Sequence, residues 1–262
     1  MTSAPRQKHY QLTENMIIGI SRIVFLAVFF GVWEYVARTE LINPIFIGTP
    51  SEIAKFLWVG LFVEFTIERH LLWTVVSTFL AFIIGSAAGI ATSLVFVTWP
   101  TVEKFSDPLL SALNALPRIA LAPLFLLWFG LGIWSKVALG ASLTYFIVLS
   151  SAVAGIRGTN SDHLILARTL GASQRQIFAK ITLPNAVPTI FSGLRLGLIY
   201  ALLGVIAGEI IAAQHGLGQL LSFLAGSFQI SGVFAVLSIL ALLGMSLLWA
   251  MNRLENRLLQ WR

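Results

Sequence analysis

The chain has no cysteine, and only 11% of its 262 residues are charged. The first absence excludes a disulfide framework, thiolate catalysis and cysteine-held metal. The second excludes a soluble domain, which carries about a quarter charged residues. No G-x-x-x-x-G-K-[ST] sequence occurs, so the chain lacks the phosphate loop that hydrolyses ATP. The four histidines (His9, His70, His163, His215) share no metal-ligand spacing. Neither a catalytic constellation nor a metal site is expected. No small-residue cleavage site follows the first apolar run, and Glu34 comes directly after it, so no cleavable signal peptide is expected.

What is present is apolar. Hydrophobic residues make up 57% of the chain, and mean hydropathy is +0.87. Lipid must therefore be the solvent for most side chains. The net charge of +6 could suggest nucleic acid. The basic residues sit instead in short segments between apolar runs, which is a membrane-topology pattern, and no nucleic-acid partner is expected.

A membrane-crossing helix needs about 20 apolar residues. Six candidates follow, at 16–37, 70–97, 114–134, 136–156, 191–213 and 233–252. The third holds Pro117, Arg118 and Pro123 and is expected to be bent or broken. A polar, Gly-rich patch at 214–219 reads as a short re-entrant or surface element before the last span. The predicted organisation is a 1–15 N-terminal segment, a first span and outer segment over 16–69, a core over 70–252, and a 253–262 tail. Lys and Arg placement sets the orientation. With the N-terminus inside, the inner segments hold Arg6, Lys8, Lys104, Arg157, Arg168, Arg175, Lys180, Arg253, Arg257 and Arg262. The outer segments hold only Arg38, Lys55, Arg69 and Lys136. Both termini and the 156–190 segment are thus expected in the cytoplasm. Ser51, after Pro50, is the predicted N-cap of a helix in the outer segment.

Two patterns concern packing and charge. Ser77, Ala81, Gly85, Gly89 and Ser93 form a small-residue stripe at steps of four, and Gly193–Gly197 and Gly204–Gly208 repeat the spacing. Such stripes bring helices close in lipid within one subunit, or else mark a subunit interface or line a passage. Arg118, Arg195 and Glu209 fall within or at the edges of spans, where ionisable groups are costly. Each has two readings. The arginines either snorkel to the interface or line a passage for an anion. Glu209 either joins the passage or serves a structural pair or a backbone hydrogen bond.

The polar, basic island at 156–190 is the most informative segment. Asp162 to Lys180 reads as helix interrupted at Gly171, with Pro184 and Pro188 expected to stop it before the fifth span. Ala167, Gly171 four residues later, and Ile181-x-Leu183-Pro184 resemble the cytoplasmic loop signature of ABC importer permeases. Ile165-Leu166-Ala167 stands where that signature has Glu-Ala-Ala, so the acidic residue is missing. Pro117-Arg118-x-Ala120-x-x-Pro123-Leu124, Trp128-Phe129-Gly130-Leu131-Gly132, Gly193-Leu194-Arg195 and Gly208–Ala213 resemble the nitrate/sulfonate/taurine branch. The likeness covers roughly 70–252.

The resemblance implies an all-α membrane protein of about six transmembrane helices with the type I ABC importer permease fold, in a bacterial inner membrane. It implies a coupling helix built on Ala167, Leu170, Gly171, Ala172, Arg175, Ile181, Leu183 and Pro184, inserted in a cleft of a cytoplasmic ATPase subunit. Ala167 and Ala172 would sit in the groove, and Arg175 would reach carboxylates at its rim. The implied partners are two ATPase copies, which carry the ATP and Mg, an extracytoplasmic binding protein, and a second permease, as a homodimer. The branch implies a sulfonate, taurine or nitrate, although it also holds importers of uncharged or cationic vitamin and pyrimidine precursors. An ATP-independent secondary transporter or channel stays open as the alternative. It would show paired broken helices in two repeats, and no convincing repeat is present. An intramembrane enzyme would need a nucleophile with a base or paired carboxylates, and Glu209 stands alone.

Overall fold

The computed structural model describes the backbone of residues 4–39, 41–42 and 44–259, with side chains from 17 onward except 44 and 45. The side chains of Arg6, Lys8 and His9, and Arg262 entirely, lie outside the described residues. Among the described residues there are only helices and turns, and five unbroken helices are long and apolar enough to cross a membrane. A bent pair makes six. The contacts divide the chain into two units, residues 1–64 with 224–235, and residues 65–223 with 236–262.

The smaller unit begins with α1 (Ala4–Arg38), whose 17–38 portion is apolar throughout. Its Glu34 carboxylate accepts from the Ser51 backbone N–H at 3.0 Å and the Ser51 hydroxyl at 2.7 Å. Trp33 Nε1 donates to the Gly48 carbonyl at 3.2 Å. After α2 (Pro44–Ile47) comes α3 (Pro50–Phe62). Its N-cap is Thr49, whose hydroxyl accepts from the Glu52 N–H at 3.2 Å. The expected cap, Ser51, is already inside the helix and serves Glu34 instead. Pro50 explains the shift: its fixed φ and missing N–H suit the first helical position, which puts the cap one residue earlier.

The larger unit is organised on α4 (Thr66–Thr98), α7 (Ile133–Arg157) and α10 (Leu183–Ile211). Small residues let these helices touch backbone to backbone. A Cβ on Gly85 would lie 2.6 Å from the Ala141 carbonyl, and one on Gly204 would lie 2.7 Å from Gly140 Cα. The whole stripe Ser77, Ala81, Gly85, Gly89 and Ser93 is buried within the chain, so it packs inside the subunit. Thr144 ties the seam, donating to the Gly140 and Gly197 carbonyls, each at 3.0 Å. Ala81, Val137, Ala141, Ala201 and Val205 fill it.

Between α4 and α7 the chain departs from the sequence reading. The expected third span at 114–134 is instead α5 (Pro100–Ala115), a 3-10 turn (Arg118–Leu121) and α6 (Ala122–Phe129), bent by 86°. Pro117 forces Leu116 into an extended conformation and breaks the helix there. The helical start lies 14 residues earlier than expected, because Glu103, Lys104 and Asp107 hide α5 from a hydropathy average.

After α7 come α8 (Ser161–Thr169) and α9 (Gln174–Ile177). Pro184 and Pro188 do not stop the chain's helical run. α9 widens into a π-turn (Phe178–Thr182) and continues as α10, one apolar run over Gln174–Ile211. Pro184 falls in the first two positions of α10, where a missing N–H costs little. α11 (Leu217–Gly226) follows the predicted polar patch, and α12 (Ile230–Leu258) is the last apolar helix.

Candidate functional site

The elbow between α8 and α9 is specified residue by residue. Asn160 caps α8, its side chain accepting from the Asp162 N–H at 2.8 Å. The helix ends in a Schellman turn: Ala172 N–H bonds the Ala167 carbonyl and Gly171 N–H bonds the Arg168 carbonyl, both at 3.0 Å. Gly171 takes φ +79°, which that turn requires of its C′ residue. Nothing lies within 4 Å of a Cβ placed there, so its conformation, and not a close contact within the chain, demands glycine. A capping box opens α9 at once. Ser173 N–H donates to Gln176 Oε1 at 2.8 Å, and Gln176 N–H to Ser173 Oγ at 3.3 Å.

This elbow presents apolar side chains outward. Ile165, Leu166 and Leu170 are 60%, 59% and 77% exposed, and the exposed Arg168 and Arg175 flank them. Ala167 was expected to enter a partner's groove. It is buried in its own elbow, under the Schellman bond, so the side chains available to a partner are the three larger ones. Ala172 and Ile181 are half-buried, while Leu183 and Pro184 begin α10.

The opposite end of α7, 25 residues and about 37 Å away, carries a buried polar cluster. Glu209, near the end of α10, is 2% exposed. Its carboxylate accepts from the Thr74 hydroxyl at 2.9 Å and the Gly218 N–H at 2.9 Å. Thr74 Oγ1 in turn accepts from Leu217 N–H at 2.8 Å. Gly216, at φ +119°, leaves room for the carboxylate, since a Cβ there would stand 2.2 Å from Glu209 Cδ. His70 bonds the Gly216 backbone, and His215 stacks on Trp73. Lys136 was counted among the outer charges. It is buried, with Nζ donating to the Leu131 carbonyl at 2.6 Å and the Gly132 carbonyl at 3.0 Å, and it shares a cavity of about 50 Å³ with Glu209. These bonds are of the kind weighed as the structural reading of Glu209, and they hold the 216–218 turn.

The two arginines separate. Arg195 is ion-paired with Glu255 on α12. Arg118 has no carboxylate partner among the described residues. Its guanidinium lies over the Phe146 ring, 4.0 Å from the centroid, and donates to the Asn114 side chain and, at 3.3 Å, to the Ser142 carbonyl. The structure thus does not bring Arg118, Arg195 and Glu209 together. Sequence reasoning missed the polar face of α5 that ends at Asn114, the Arg118 partner. Glu103, Asp107, Ser111 and Asn114 line one side of a trough of about 400 Å³ against α7. Their spacing of four, four and three marks one helical face and was visible in the sequence.

The comparisons agree with this geometry. The family model described as "binding-protein-dependent transport system inner membrane component" matches residues 84–260. The chain is 35% identical to the formylaminopyrimidine transport permease ThiX of Halalkalibacterium halodurans, over 91% of this chain and 94% of that one. It is 32% identical to the taurine transport permease TauC of Escherichia coli, over 90% and 87%. It is 30% identical to the putative aliphatic sulfonates permease SsuC of Bacillus subtilis, over 98% and 91%. In fold it is similar to an amino acid ABC transporter solved with histidines (TM-score 0.63, 19% identity, 74% of this chain and 96% of that one). It is also similar to the inward-facing MetNI methionine transporter (TM-score 0.57, 20% identity, 78% and 94%). Helical architecture, signature elbow and whole-length relatives together make this chain a member of the binding-protein-dependent inner membrane components, a type I ABC importer permease of the taurine and aliphatic-sulfonate branch.

Proposed function

We propose that this permease carries a small solute inward by alternating access, driven by ATP hydrolysis on a separate cytoplasmic subunit that binds the α8–α9 elbow. The carrying observation is the elbow itself: a capped, rigid turn with Ile165, Leu166 and Leu170 exposed beside Arg168 and Arg175. Large apolar side chains on a water-facing turn gain by entering a partner's cleft. The chain has no phosphate loop, so the energy source is the partner, which holds ATP and Mg. Two permease copies form the passage, and an extracytoplasmic binding protein loads it. Both termini and the elbow face the cytoplasm, an orientation supported by the Lys and Arg count.

The solute in this reading is a small anion such as a sulfonate, taurine or nitrate. Taurine and aliphatic-sulfonate relatives support this, while formylaminopyrimidine and riboflavin relatives name other cargo. Thermal-shift screening of the binding protein against these compounds separates them. For the coupling, Leu166→Asp with Leu170→Asp should abolish co-purification of the ATPase while leaving the permease's size-exclusion profile unchanged. Solute uptake into vesicles holding the permease alone, without a nucleotide-hydrolysing companion, would refute the reading. So would labelling of the elbow from the outside of the cell.

A further inference from the structure

The helix α5 is amphipathic in an unusual sense for a membrane segment. Glu103, Asp107, Ser111 and Asn114 fall within about 80° of arc and face a trough whose far wall is α7. The opposite face carries Phe105 and Leu109, 78% and 62% exposed. Polar groups turned toward the protein and apolar groups turned away mark a wet passage beside lipid. A second hollow of about 390 Å³ continues the trough through Asn114 to Arg118 and Tyr200.

Charge along this route is uneven. Glu103 is neutralised by Arg157. Among the described residues, Arg118 uses two of its five N–H donors, both on neutral acceptors, and its Nε has no partner. Asn114 and Phe146 fix the guanidinium without cancelling its charge. Asp107, seven residues or about 10 Å along α5 from Asn114, makes no ion pair among the described residues, so the holding point for an anion on this route is Arg118 and not the stretch beyond.

We infer that the α5–α7 trough is the solute's route, and that Arg118, held by Asn114 and Phe146 with Tyr200 opposite, is the station for the anionic group of a small organic anion. This names the solute class and contact residues of the passage proposed above and rests on that reading.

The absence of cysteine permits a direct test with thiol reagents. The Tyr200→Cys chain, in membrane fragments open on both faces, is treated with anionic sulfonatoethyl methanethiosulfonate or its cationic trimethylammonioethyl counterpart. Rates are normalised to free 2-mercaptoethanol. The anion-to-cation ratio should exceed that of Tyr200→Cys with Arg118→Gln by about tenfold, the effect of one nearby unit charge in a half-wet site. Arg118→Lys should keep the preference. Ser150→Cys should react, and Phe105→Cys on the apolar face should not. Where Arg118→Gln fails to accumulate, the ratio on Tyr200→Cys alone should fall as salt rises from about 20 to about 500 mM. An unreactive Cys at 200, meaning a trough filled by lipid or a second copy, overturns the proposal, as does a ratio indifferent to both Arg118→Gln and salt. The assay needs neither ATPase nor identified solute. Failure of the parent chain to bind an ATPase sinks the transport reading alone, and the cysteine result sinks only the station.

Discussion

Removing the Glu209 carboxylate should loosen one turn without touching the passage. In Glu209→Ala, the Gly218 N–H loses its acceptor in a buried site, as does the Thr74 hydroxyl. An orphaned buried N–H costs about 1–3 kcal/mol. Thr74 recovers part of its loss, because its hydroxyl already lies 3.2 Å from the His70 carbonyl, leaving about 1 kcal/mol. The total is about 2–4 kcal/mol, which at about 2–4 °C per kcal/mol lowers the melting temperature by about 5–15 °C. Glu209→Gln keeps an oxygen for Gly218 and offers an amide to Thr74 Oγ1, so it should cost only about 1 kcal/mol. Hydrogen exchange localises the effect: amides 216–220 should lose protection in the alanine variant, while those of 140–150 keep theirs. If protection and melting match the parent while uptake falls, Glu209 serves the passage and the anchoring argument is wrong.

Other expectations follow from the elbow and the core. Gly171→Val forces a β-branched residue to φ +79° and should uncouple ATPase stimulation from the binding protein at unchanged expression; Gly171→Asn, which tolerates that region, should be milder. Ser173→Ala breaks the capping box and should cost about 0.5–2 kcal/mol, read as faster exchange of the Gln176 amide. Gly85→Leu drives a side chain into the Ala141 carbonyl and should leave no monodisperse protein in detergent. Arg195→Gln and Glu255→Gln should each lower the melting temperature, and the double variant by less than their sum, since both break one pair.

What was legible in the sequence was local. The elbow could be read because the helical spacing from Asp162 to Lys180 and its break at Gly171 are set by neighbours within that stretch; the Ser173 cap went unread. The buried stripe on α4 could be read because small side chains at steps of four have one geometric use in lipid. The losses came where the answer depends on partners far along the chain. Thr74 and Glu209 are 135 positions apart, and nothing near either announces the other. Lys136 looked like a topological charge although its carbonyl partners, Leu131 and Gly132, stand only five and four residues before it; the cavity it shares with Glu209 depends on a residue 73 positions on. The start of α5 was missed for another reason: a hydropathy average sums over all faces, so a helix that turns its charges inward scores like a loop.

These features combine into a mechanical argument. An elbow transmits displacement only if it does not bend. Here a Schellman stop and a capping box leave just Gly171 and Ala172 between the last residue of one cap and the start of the next. Past the elbow, α9 runs through the π-turn into α10 as a single 38-residue helical stretch. Gly204 sits against the α7 backbone at Gly140, and Gly193 and Gly197 seat the side chains of Ser151, Val148 and Thr144, which leaves little slack for sliding, because closely packed interfaces yield as units and not by degrees. A push at Leu170 should therefore reach the Glu209 turn at the far end of α10 largely undiminished. A glycine pair inserted in the π-turn breaks that stretch while leaving the docking residues in place. It should preserve ATPase binding and abolish uptake; normal uptake in that variant would show that force does not travel along α10.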